Sequence, residues 1–181
     1  MKRLSLLASL AFLLLSFNIN AQDAESQIFD GANCTSIMVG KDASTDGSVM
    51  TSHTCDGMYR TWLRWEKAEQ HEKGATQKIY RGSMHTRNAY DSKGLEYAGE
   101  IPQAEYTYSY LNTAYPCLNE KQLAIGETTF SGPDTLVNPE GLFMIEDLER
   151  IALQRCDNAR DAIRLIGELI KEYGYGDGGE C

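Results

Sequence analysis

Apolar and polar positions along this 181-residue chain follow three patterns in succession. The first is a near-continuous apolar run from Leu4 to Phe17, behind Lys2 and Arg3. That run is too short for a comfortable membrane span and has the charge and length of a secretory signal peptide, with Asn18-Ile19-Asn20-Ala21 offering a cut after Ala21. The second pattern is short and β-like. Thr35–Gly40 is rich in β-favouring residues, Lys41–Gly47 is polar and ends in the turn signal Asp46-Gly47, and Ser48–His53 alternates as a return strand. Trp62–Trp65, Ile79–Arg81, Glu105–Tyr110 and Lys121–Phe130 read as further strands, and Glu66–Ala75 as a solvated loop. In Glu105–Tyr110 the alternation puts Tyr106, Tyr108 and Tyr110 on one face. Asn119-Glu120 is the turn into the last strand.

The third pattern begins after Pro139, where the period becomes helical. Gly141–Cys156 and Asn158–Tyr173 are expected helices. The second carries Ala159, Ala162, Ile163, Ile166, Leu169, Ile170 and Tyr173 as one apolar stripe, with Asn158 as its N-cap and Gly174 as its end. Strands followed by a helix pair that covers a sheet face describe a layered α+β protein.

Composition narrows the partners. Removing the leader leaves about 160 residues, enough for one domain. A formal net charge of -9, with no basic patch, opposes a polyanion and excludes nucleic acid as a partner. Export implies an oxidising compartment, periplasmic or extracellular, and no stable membrane insertion once the signal is cut. The five cysteines, Cys34, Cys55, Cys117, Cys156 and Cys181, are an odd number, so one thiol is free or pairs elsewhere. No C-x-x-C pair is present, so no zinc or thioredoxin-like site is expected. The glycine-rich segment from Tyr173 to Cys181 reads as a turn into another strand, which suggests a fragment of a longer protein.

Cys34 is the residue with the richest chemistry. It follows a polar stretch, Gln22–Asn33, whose last three residues, Gly31-Ala32-Asn33, are small. It begins a hairpin that ends in His53-Thr54-Cys55-Asp56. Cut after Asn33, Cys34 would hold a thiol and a free α-amine with a reference pKa near ~8. The amine can take the thiol proton and hand it to a leaving amine, a nucleophile with a built-in base. Asp56, returned toward Cys34 by the hairpin, could orient the ammonium or a substrate amine. His53 could donate to an oxyanion or tune the thiol. Asn119, with Glu127-Thr128-Thr129-Phe130, could supply oxyanion donors. Each also has a structural reading: a disulfide for Cys34 or Cys55, turn chemistry for Asp56 and Asn119, ladder hydroxyls for the threonines.

Taken together, these pieces resemble dipeptidase A-type enzymes, cysteine peptidases of the N-terminal-nucleophile hydrolase superfamily. The resemblance lies in the block from Cys34 to Ser48, in Ala124–Phe130 (AIGETTF), in Val137–Leu142 (VNPEGL), in Ala152–Arg155 (ALQR) and in Tyr173–Gly176 (YGYG). It implies a partial αββα four-layer sandwich, a propeptide over residues 22–33, autocatalytic release of Cys34, and hydrolysis of dipeptides with no metal or organic cofactor. Cys34 matches the nucleophile. In related acylases an R-x-x-D pattern follows on the second strand; Asp56 matches the Asp, and His53 stands where the Arg would be. Thr129 falls at the position of their Asn. Such enzymes are longer than this chain. Expected partners are small peptide substrates, with a homo-oligomer left open. The alternatives are an amidase or acylase of the same superfamily acting on N-acyl amides, and a secreted, disulfide-stabilised binding domain.

Overall fold

Cys34 leads directly into an antiparallel hairpin of β1 (Ser36–Val39) and β2 (Met50–His53), in which Ser36 faces His53 and Val39 faces Met50. The computed structural model of the chain describes residues 34–57, 59–86, 95–130 and 133–180. These fall within one unit spanning residues 33–181; the expected leader and residues 22–33 lie outside the described residues. The hairpin turn is made as its sequence requires. Gly47 takes a left-handed φ of 77°, and Asp46 Oδ1 accepts the Ser48 N–H at 3.0 Å. Among the described residues β1 and β2 pair only with each other, and Ile37, Met38, Val49 and Met50 are all exposed.

The chain continues through β3 (Arg64–Glu66), β4 (Glu69–Gln70), β5 (Thr76–Arg81), β6 (Glu96–Pro102), β7 (Tyr106–Thr107), β8 (Tyr110–Asn112) and β9 (Leu118–Asn119). β5 and β6 form the longest ladder, which slips register between Ile79 and Tyr80. Gly99 sits at that slip, and a Cβ there would come within 2.8 Å of Leu142 Cδ1. β8 lies between β3 and β9, and β4 pairs with β7. After β10 (Thr129–Phe130) come helices α1 (Ile145–Arg155) and α2 (Ala159–Tyr173), and then β11 (Gly179–Glu180), which pairs antiparallel with β10.

Two apolar clusters hold the helices against the strands. Ile79 and Ile101 of the β5–β6 pair pack with Phe143, Leu148, Ile151 and Leu169. Tyr110 and Leu123 pack with Ala152, Leu153, Cys156 and Ala162. Asn158 caps α2, its side chain accepting the Asp161 N–H at 3.0 Å. Gly174 ends that helix with a φ of 81°.

β4 lies within Glu66–Ala75, which was expected to be a solvated loop, and β6 was not expected; the structure differs from the expected elements at four further places. Ile163 is 71% exposed, and Leu165 packs on the cores in its stead. The inward stripe is Ala162, Leu165, Ile166, Leu169, Ile170 and Tyr173, a cleaner i, i+3, i+4 series than one containing Ile163. Glu105–Tyr110 is not one strand. The Tyr108 N–H leaves the sheet to bond Gln154 O at 2.8 Å, so Tyr106 is exposed while Thr107, Ser109 and Tyr110 are buried. Lys121–Phe130 is ordered chiefly by the turn at Asn119 and contributes only β10. Finally, α1 starts at Ile145, because Leu142 and Phe143 run extended beside Tyr173–Gly176, with Gly176 N donating to Phe143 O at 2.8 Å. Gly141 is required there: a Cβ would lie 2.3 Å from the Tyr175 carbonyl carbon.

Candidate active site

The two cysteines flanking the hairpin come together because the ladder continues beyond its last assigned pair. Thr54 N donates to Thr35 O at 2.9 Å, and Thr35 N donates to Thr54 Oγ1 at 3.1 Å. Continuing this register by one step brings Cys34 toward Cys55, and Cys34 is among the groups that act electrostatically on the Cys55 thiol. Both thiols are free and half-buried. They differ in chemistry. Burial, reinforced by the Glu127 carboxylate, pushes the Cys55 thiol up to about 12, so it stays protonated and a poor nucleophile at neutral pH.

The segment from Gly126 to Thr128 is stitched onto the hairpin. Ser36 Oγ lies in close hydrogen-bond contact with Thr128 Oγ1 and donates to Glu127 O at 3.4 Å. The His53 ring lies against Gly126, where a Cβ would come within 2.9 Å of Nδ1. The structure therefore gathers Cys34, His53, Cys55 and Thr128 at one end of the hairpin. Asp56 follows Cys55 and is exposed.

Beside the thiols runs a cleft of about 310 Å³ lined by His53, Cys55, Gly57, Tyr59–Leu63 and Thr113–Tyr115. Its walls are aromatic. Tyr59 and Tyr115 meet edge to face at 5.3 Å, and Trp62 is fixed by its Nε1–H to Thr86 O at 2.9 Å. Arg60 Cζ lies 3.8 Å above the Trp62 ring. Burial lowers the Arg60 guanidinium to about 10, still a cation at neutral pH.

Of the two expected oxyanion donors, Asn119 is committed elsewhere. Asn119 is 2% exposed and its amide is fully used. Nδ2 donates to Leu153 O at 2.7 Å and to Cys156 O at 2.8 Å, while Oδ1 accepts from Lys121 N and Leu123 N, both at 3.0 Å. It clips the turn after β9 to the end of α1 and has no donor left for a substrate. Asn119→Ala is expected to cost roughly 3 kcal/mol, because buried carbonyls and N–H groups lose their partners; the urea unfolding midpoint measures it. Thr129 Oγ1 faces two carboxylates, Glu127 Oε2 at 3.4 Å and Glu180 Oε1 at 3.3 Å.

Sequence reasoning missed a set of buried acids behind the thiols. Glu127, Glu146 and Glu149 are nearly inaccessible. Glu127 Oε1, Glu146 Oε2, both carboxylate oxygens of Glu149 and Glu180 Oε2 have no hydrogen-bond partner among the described residues. Burial raises Glu146 to about 7, and the neighbouring Asp147 adds to the effect. Burial, then Glu127, holds Glu149 well above the usual carboxylate range. Glu180 is lifted to about 8 by burial and by the neighbouring Glu127 carboxylate. A signal existed for Glu149: it lies inside the stripe Ile145, Leu148, Ala152, Leu153, Cys156, at spacing that faces the core. Arg60 carries no such signal, since a lone arginine in a loop reads as solvated. Among the described residues no group of three or more His, Cys, Asp or Glu side chains is arranged to hold a metal ion, and no helix is long and apolar enough to cross a membrane.

The site thus holds two half-buried thiols, Cys34 opening the hairpin and Cys55 lining a small aromatic cleft. The profile of Peptidase family C69 matches residues 33–181, and the chain belongs to that family. A relative named "Probable dipeptidase" from Latilactobacillus sakei is 29% identical over 161 residues, 80% of this chain and 31% of its own length. The chain thus spans about a third of that relative. No solved structure matches the chain.

Proposed function

We propose that this chain carries the nucleophile of an exported cysteine dipeptidase with an αββα sandwich architecture, in which the bond after Asn33 is cut autocatalytically and Cys34 becomes the first residue. The observation that carries the reading is where the family match begins: at Asn33, one residue before a thiol that opens the hairpin beside the cleft. Cys55 is the poorer candidate nucleophile, because burial holds its thiol up to about 12 and a protonated thiol attacks weakly.

In this mechanism the freed α-amine of Cys34 takes the thiol proton. The thiolate attacks the peptide carbonyl, the C–N bond breaks, and the ammonium returns its proton to the departing amine. Water then adds to the thioester carbonyl, with the amine as base, and the carbon–sulfur bond breaks to release the acyl product and restore the thiol. Asp56, exposed just beyond Cys55, is the carboxylate available to orient the ammonium. Thr128, bonded to Ser36, is closer in the network to Cys34 than Asn119 is, and it supports the oxyanion side better.

Intact mass and N-terminal sequencing of purified, peptide-cleaving protein test the reading. A mature chain starting at Cys34 is expected. A chain starting at Gln22, with Cys34 oxidised, favours the binding domain instead. Faster turnover of N-acyl amides than of dipeptides would move the assignment to an acylase.

A further inference from the structure

Arg60 stands in the wall of the cleft with a charge that no described residue neutralises. Nη2 donates to Asn112 Oδ1 at 2.6 Å and to the Thr113 carbonyl, and both acceptors are uncharged. No carboxylate forms an ion pair with Arg60 among the described residues, and its Nε is buried without a partner. Glu66 reaches it only through a neutral relay: Asn112 Nδ2 donates to Glu66 Oε1 at 2.7 Å, and that carboxylate is already paired with Arg64. A half-buried guanidinium without a carboxylate partner of its own is a ready site for an incoming anion, because the anion offsets the cost of desolvating the charge.

The group is also rigidly held. Its guanidinium is stacked on Trp62, and its backbone N–H donates to Met84 O at 2.7 Å. Rigidity lowers the entropy lost when a ligand docks, and a guanidinium suits a carboxylate particularly well. The cleft that it lines is near the lower limit of ligand pockets, which run from about 300 Å³ upward. A dipeptide suits such a space, and a bulky acyl chain does not. Cys55, toward which the hairpin register brings the proposed nucleophile, lines the same cleft. In a dipeptide the scissile carbonyl and the terminal carboxylate are separated only by one N–Cα unit, so one small cleft receives both.

We propose that Arg60 binds the free α-carboxylate of the substrate, so that the residue released is always the C-terminal one and its side chain rests on the Tyr59, Trp62 and Tyr115 walls. This rests on the reading of Cys34 as nucleophile and adds the feature by which peptide length is measured. A longer peptide would have to place its carboxylate beyond Arg60, leaving the half-buried guanidinium without a carboxylate partner.

The test compares a dipeptide with its C-terminal amide on the mature full-length protein. The free acid is expected to be favoured about 100-fold in kcat/KM, the range of a charge-assisted contact made in a desolvated site. Arg60→Met is expected to bring that ratio near one by raising KM for the free acid, and Arg60→Lys to recover part of the preference. Equal cleavage of acid and amide by the unmodified protein overturns the proposal. So does a variant that slows both substrates alike, which would make Arg60 an oxyanion donor. If neither substrate is cleaved, the Cys34 reading has failed, and calorimetric binding of acid against amide still decides Arg60 without turnover: equal affinities overturn it, a preference for the acid upholds it.

Discussion

Cys34→Ala is expected to abolish peptide hydrolysis and, in the same molecule, to leave residues 22–33 attached. Removing the nucleophile of a covalent hydrolase costs about 10⁴- to 10⁶-fold in kcat, which takes turnover below detection. The second effect separates this account from a conventional thiol enzyme. If the sulfur also cleaves the bond after Asn33, the variant must be heavier than the mature protein by the mass of the retained segment. Cys55→Ala is the control: its thiol is half-buried and pushed up to about 12, so processing should proceed. A Cys34→Ala protein that matures normally would show that another enzyme removes the segment. Cys34→Ser should process slowly if at all, because a hydroxyl beside an amine is a much weaker nucleophile than a thiol.

The buried acids make a second large effect. Glu146, Glu149 and Glu180 all have folded-state pKa values above the ordinary 4.5 of a glutamate. The sign follows from linkage. Between about pH 4.5 and 8 the native state holds more protons than the unfolded chain, so its stability is greatest at the acid end and falls as pH rises through about 7 and about 8. Each such carboxyl contributes a slope of up to about 1.4 kcal/mol per pH unit. Urea midpoints are therefore expected to drop from pH 5 to pH 8. Glu149→Gln, which removes the charge and keeps the shape, should flatten the decline. A midpoint that rises over this range would mean that the acids acquire counter-charges in solution. Asp46 and Asp161, both hydrogen-bonded at the surface and shifted downward, act in the opposite sense only below about pH 4.

How much of this was legible depended on whether a residue's role was local. The hairpin was legible, because Asp46-Gly47 specifies its turn and the flanking alternation specifies its strands. The α2 cap at Asn158 and the stop at Gly174 were legible for the same reason. β6 was not foreseen: its residues, Glu96–Pro102, alternate poorly, and pairing with β5 is what orders them. Asn119 was recognised as a turn residue, but its amide reaches the carbonyls of Leu153 and Cys156, and nothing local announces a bond across that sequence distance. At the site, the nearness of Cys34 and Cys55 followed from the hairpin register. The cleft did not, since it joins Tyr59–Leu63 to Thr113–Tyr115, about fifty residues apart in sequence. Arg60 gains its character only from that joining.

The bare hairpin has a consequence for handling the protein. A ribbon that pairs with no further strand among the described residues, with the side chains of Ile37, Met38, Val49 and Met50 facing water, can template another strand of its own kind. The charged tip formed by Lys41, Asp42 and Asp46 interrupts that tendency at one end only. Colloidal stability of the chain therefore depends on concentration and ionic strength, because at high salt the mutual repulsion from its net charge of -9 is screened and the ribbons come within reach of one another.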